Sequence, residues 1–189
     1  MGQRKGVNTQ TVAQLGHRLC REYGRFVVGS VLMAVLVFGS GQYLFADGAV
    51  GEKMLSIASA KAGLGFGQAV CLGILCNVLV CLAVWLAFSA RSTTDRILAV
   101  VPPVAAFVAA GFEHSVANMY FLPIGLLVKS FAPAAFWNSI SSGAGDWSSL
   151  TLSAALVNNL FPVTIGNIIG GAGMVGLVYW FVYLRKRNA

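Results

Sequence analysis

The sequence predicts an all-α membrane protein with four spans, one of them interrupted. Three observations predict it. Of the 189 residues, 57% are hydrophobic and only 10% charged, with a mean hydropathy of +0.76, whereas a soluble surface needs roughly 25% charge to cover itself. Several apolar runs reach the ~20 residues that cross a hydrocarbon core as a helix. Within one of these runs stands the polar triplet Glu113-His114-Ser115.

In chain order, residues 1–25 read as a polar, basic cytoplasmic lead, and residues 26–189 as the transmembrane domain. The lead has no apolar stretch, so no cleavable signal peptide is expected and insertion relies on the spans. The first span covers about 26–45 and ends at Ala46-Asp47-Gly48. The second covers about 62–90, longer than one crossing requires, and is expected to tilt or to extend past the membrane. It stops at Arg91-Ser92-Thr93-Thr94-Asp95-Arg96. The third covers about 97–128 and is broken at 113–115, and the fourth covers about 156–184, before Arg185-Lys186-Arg187. Residues 129–153 between the last two read as a loop rich in Ala, Ser, Gly and Trp.

The net charge of +7 does not point to nucleic acid, because the basic residues lie between the spans and in the tails. Short cytoplasmic loops retain Lys and Arg. With four crossings, ten basic residues share one side (Arg4, Lys5, Arg18, Arg21, Arg25, Arg91, Arg96, Arg185, Lys186, Arg187) and three the other (Lys53, Lys61, Lys129). Both termini are therefore expected in the cytoplasm, with the broken unit counted as one crossing. Cys20, Cys71, Cys76 and Cys81 form no CxxC pair, and the last three, five residues apart, each turn about 140° from the previous one on a helix. No disulfide framework, metal site or cofactor follows. Gly63-Leu64-Gly65-Phe66-Gly67 lacks the Lys-Ser or Lys-Thr that a phosphate loop requires, and reads as close packing at a helix start.

Ionisable residues inside a span are costly, about 2.5 to 3.5 kcal/mol for an Asp, Lys or Arg at the helix centre on insertion scales. A broken helix survives there only where protein or a water-filled cavity satisfies its backbone. Glu113 and His114 are thus read as residues of a pathway. The bland alternative, a short external loop, strands Met119 to Val128 in a segment too short to return. Interrupted helices bring positive N-terminal ends near the midplane, where anions bind, and Asn118 is placed to cap or bind there. In the fourth span, Thr164-Ile165-Gly166-Asn167 reads as a second polar interruption. Gly166 and Gly170 are better explained as a packing face, while Asn167 fits packing and solute contact equally well. Asn77 is a lone mid-span amide of the kind that joins helices. Lys61 stands at the mouth of the second span, either drawing anions by its field or snorkelling at the interface. His17, in the basic lead, needs no role.

The stretch Gly111-Phe112-Glu113-His114-Ser115-Val116-Ala117-Asn118-Met119 resembles the signature of the formate/nitrite transporter family. Asn159-Leu160-Phe161-Pro162-Val163-Thr164-Ile165-Gly166-Asn167-Ile168-Ile169-Gly170-Gly171 looks like that family's last span, and Ala69-Val70-Cys71-Leu72-Gly73-Ile74-Leu75-Cys76-Asn77 like its fourth. Leu122-Pro123-Ile124-Gly125 after the break points to the formate-channel branch. The resemblance implies an aquaporin-like protomer of six helices in two inverted halves, assembled as a homo-pentamer in the bacterial inner membrane. By motif position, His114 would be the central pore histidine. Asn118, Asn167 and Asn77 would be polar residues along the pore, Lys61 the vestibule lysine, and Phe107 and Val80 parts of the outer and inner constrictions. Glu113 and Ser115 would support the broken helix.

The pattern departs from the family before Phe26, where two further helices are expected. The chain is accordingly expected to be an N-terminally truncated member, a partial bundle with four of six spans. The function so implied is a channel for small monovalent anions, formate first and nitrite or hydrosulfide next, in which apolar rings strip water and His114 gives polar relief. An imidazole that titrates near neutral pH could also lend formate a proton. The rival reading is a transport-inactive fragment or structural piece. An intramembrane enzyme is disfavoured, since His114 and Glu113 have no evident nucleophile or metal partner.

Overall fold

In the computed structural model, residues 9–140 and 143–184 are described, and among them all regular structure is helical. The lead residues before Thr9 and the basic run Arg185-Lys186-Arg187 lie outside the described residues.

Helix α1 (Thr9–Gly39) begins well before the expected span and stops short of Phe45. Its last turn gives way at Gly39-Ser40-Gly41, where the Ser40 hydroxyl donates to the Val37 carbonyl at 2.7 Å. Left-handed backbone at Gly41, Ala46, Asp47 and Gly48 then reverses the chain. Gly48 is required there twice over. Its φ is +88°, and a Cβ would meet Ser139 Oγ at 2.7 Å.

The reversal feeds α2 (Ala49–Ala62), a 14-residue helix absent from the four expected units. Its three charged residues hide it from a hydropathy reading. The second unit is therefore not one helix from Ala62. It breaks at Gly63–Gly65, and α3 (Phe66–Ser89) makes the crossing. α4 (Thr93–Ala109) starts with a capping box, in which the Ser92 hydroxyl accepts from the Asp95 amide and the Asp95 carboxylate from the Ser92 amide, both at 3.1 Å. α5 (Ser115–Phe131) follows the break and carries Lys129 in its last turn. The expected loop contains α6 (Ala134–Ser139) and one tight turn, Ala144–Trp147.

The last helix, α7 (residues 152–184), is a single rod. Ordinary α turns at Leu152–Ala154, Phe161–Ile168 and Leu177–Tyr179 alternate with wider π turns at Ala155–Leu160, Ile169–Gly176 and Trp180–Leu184. The polar stretch Thr164 to Asn167 lies inside an α stretch of this rod, so the backbone is continuous there. The widening falls just before Pro162, whose ring cannot coexist with a regular bond to the carbonyl four residues back.

Packing separates the two halves of the broken unit. α4 lies on α3, whereas α5 lies on α1 and α2, and α7 lies along α3. The α3–α7 contact is a glycine seam. A Cβ on Gly166 would strike the Val70 carbonyl, one on Gly170 the Ile74 carbonyl, and one on Gly73 the Val163 carbonyl at 2.8 Å. The packing explanation of these glycines holds. A separate apolar core gathers Tyr43, Leu55, Leu122, Val128, Phe136 and Leu150 where α2, α5 and α6 meet.

Candidate functional site

The site is the five-residue step between α4 and α5, where Gly111 takes φ +68° and His114 becomes the N-cap of α5 with extended backbone. Its backbone groups find partners on two other helices. The Glu113 amide donates to the Leu72 carbonyl of α3 at 3.4 Å. The Asn167 side chain of α7 donates to the Glu113 carbonyl at 3.0 Å and accepts from the Ser115 amide at 3.0 Å. Irregular backbone at membrane depth needs such protein partners, and here a single amide supplies two of them. Asn167 also donates to the Gly73 carbonyl at 2.9 Å, and Asn77 donates to the Asn167 carbonyl at 2.5 Å. Both asparagines therefore knit α3, α7 and the break together.

Beside this knot lies a carboxylate cluster. Glu113 is 4% exposed, and its Oε1 receives Lys61 Nζ at 2.8 Å. Its Oε2 accepts from Asn118 Nδ2 at 2.6 Å and Asn159 Nδ2 at 3.0 Å. A buried carboxylate is tolerated when paired and hydrogen-bonded in this way. Lys61, in the last turn of α2, also lies 5.7 Å from the Phe121 ring centroid. It is neither a free vestibule cation nor a snorkelling one, because the ion pair turns it inward. Asn118 does not cap α5. It falls in the first turn with 0% exposure and points into the cluster. Asn159 has no mark in the sequence beyond an Asn158-Asn159 pair near the start of an apolar run. A polar pair at a wide helical turn before a proline is the signal that could have found it.

His114 stands apart from both clusters. It is half-buried and its ring stacks on Phe107 of α4, with centroids 6.1 Å apart and planes 24° from parallel. Among the described residues it makes no hydrogen bond through its ring. Val80 is half-buried on α3, two turns beyond Gly73. An apolar groove of about 570 Å³ lies elsewhere, between α1, α5 and α7, lined by Val27, Val31, Leu122 and Leu156 among others.

The family model for the formate/nitrite transporter matches residues 9–181. The chain belongs to that family. Among formate/nitrite transporter relatives, it is 46% identical over 178 residues to the formate channel FocA of Escherichia coli (strain K12), covering 94% of this chain and 62% of that protein. It is 38% identical over 136 residues to a probable formate transporter of Methanothermobacter thermautotrophicus, covering 72% of this chain and 43% of the relative. Its fold matches a solved pentameric formate channel with formate bound at a TM-score of 0.80 and 42% identity, over 84% of this chain and 62% of that one. The chain thus spans less than two thirds of the length of the family members it matches. Membership makes it an all-α, multi-pass membrane protein, and the relatives are channels and transporters rather than enzymes.

Proposed function

We propose that this chain contributes the central polar station of a passage for small monovalent anions, formate first and nitrite or hydrosulfide next. One observation carries the reading. Glu113, Ser115, Asn118 and Asn167 are all engaged in holding the break, while the His114 ring stacks on Phe107 and makes no hydrogen bond among the described residues. A dehydrating anion that reaches such a point meets an imidazole N–H and the positive end of α5, with the Phe107 wall excluding water. The bound state of the solved relative supports formate as the solute, and its pentameric assembly supports a homo-pentamer here. Asn167, braced by Asn77, shapes the path by holding its backbone, Asn118 and Lys61 do so by holding the Glu113 carboxylate, and Phe107 and Val80 narrow it. The protein resides in the bacterial inner membrane with both termini in the cytoplasm.

The test is formate flux into proteoliposomes carrying the chain. Flux above empty vesicles is expected, and His114→Asn is expected to change its pH dependence, because an amide cannot exchange a proton with formate. Absence of flux from the folded wild-type chain assigns it instead to a structural, transport-inactive piece.

A further inference from the structure

Lys61, Glu113 and Asn118 come from α2, the break and α5, and what joins all three is a residue of α7. Asn159 is 0% exposed. Its Nδ2 donates to Glu113 Oε2 and to the Lys61 backbone carbonyl, each at 3.0 Å, and its Oδ1 accepts from Asn118 Nδ2 at 2.7 Å. One amide therefore fixes the carboxylate, the end of the lysine-bearing helix and the orientation of the second amide. The fixed orientation is visible on Asn118. Both of its N–H groups face acceptors, and its Oδ1 is buried without a partner among the described residues. Turning that amide over would set an oxygen against the carboxylate.

The fold bends to deliver Asn159. It lies in the wide turn Ala155–Leu160, where successive side chains are separated by a smaller angle than on an α turn. Asn158 reaches the same helix end, donating to the Ala62 carbonyl at 3.3 Å. The last carbonyls of α2 lack partners within their own helix, and α7 supplies two of them.

We propose that Asn159 is a positioning residue that holds the Lys61–Glu113 pair closed, matching one ammonium to one carboxylate and withholding Lys61 from the solute. The geometry of the pair requires a donor at this position. An acceptor would face Glu113 Oε2 directly, and an apolar group would leave that oxygen short of one hydrogen bond in a buried site. The consequence for transport rests on the proposed anion passage, but the closure of the pair does not.

The experiment uses the full chain in vesicles and an acylating amine reagent that permeates membranes, with modification read by mass spectrometry. Lys53, exposed on the same helix, serves as the internal reference. Wild-type Lys61 is expected to react about tenfold or more slowly than Lys53, and Asn159→Leu and Asn159→Asp to bring Lys61 close to Lys53, the population effect of losing a charged hydrogen bond. The paired change Glu113→Gln with Asn159→Asp restores one donor, one carboxylate and one ammonium, and is expected to protect Lys61 again. Protection of Lys61 that persists in both single variants overturns the proposal, as does a double variant no better protected than Asn159→Asp alone. Formate flux is read on the same vesicles. Absent wild-type flux with the expected labelling pattern removes the anion passage and keeps the positioning role.

Discussion

At the scale of single residues, Glu113 and Lys61 are held together more strongly than their sequence separation suggests. Their side chains are 5% and 16% exposed, so the pair is little screened by solvent. Removing one member of such a pair leaves an uncompensated charge, at a cost of about 3–5 kcal/mol. Lys61→Met is expected to lower the thermal midpoint of the detergent-solubilised protein markedly, while Lys53→Met, on an exposed turn of α2, leaves it nearly unchanged. Equal midpoints for the two variants would sink this reading of the pair. His114 answers to a different physics. It is held by a ring stack on Phe107 and by its place as N-cap, so its replacement is expected to alter flux far more than stability.

At the scale of helices, the α3–α7 seam decides where the break sits. Only glycine lets the two backbones approach closely enough for Asn77 and Asn167 to reach across it. Gly166→Leu puts a side chain against the Val70 carbonyl, and overpacking of this kind costs about 1–3 kcal/mol or more. The expected result is a less stable protein whose break is exposed, measured as faster hydrogen exchange at the Glu113 and Ser115 amides. Unchanged exchange there would mean that the seam does not support the break. The two halves of the interrupted unit separate because each has its own partner, α4 on α3 and α5 on α1 and α2. That division explains how a polar step survives among apolar helices. Its backbone faces α3 and α7 rather than lipid.

At the scale of the whole molecule, three helical stretches among the described residues are long and apolar enough to cross a membrane, within Gly16–Gly39, Phe66–Ser89 and Gly145–Tyr183, and α5 is a shorter apolar helix. The excess of basic residues before and in the first half of α1, at the α3–α4 turn and after α7 is the basis of the expected orientation. A cysteine introduced at Ser92, between α3 and α4, is expected to react with an impermeant thiol reagent only from the cytoplasmic face of inside-out vesicles. One introduced at Gly145 is expected to react only from the opposite face, and labelling of both from one side would overturn the topology. Trp85 meets Tyr179 and Tyr183 edge to face near the basic end, an arrangement that fits the aromatic belts found at both membrane interfaces.

Hydropathy is a local sum, so the sequence by itself determined the membrane class and the break at Glu113-His114-Ser115. Its motifs also placed the chain in its family. What it could not determine depends on contacts far apart along the chain. Lys61 and Glu113 stand 52 residues apart, and Asn159 lies 46 beyond Glu113. Nothing local distinguishes an ion-paired lysine from a snorkelling one, or a buried asparagine from a lipid-facing one. α2 escaped because its charges lower its hydropathy, and the polar run Thr164 to Asn167 stays within a continuous helix because its polar groups bond to α3, the break and their own helix. The tertiary structure decided which polar residues hold the break and that His114 stands apart from them, because burial of a charge is satisfied by neighbours in space.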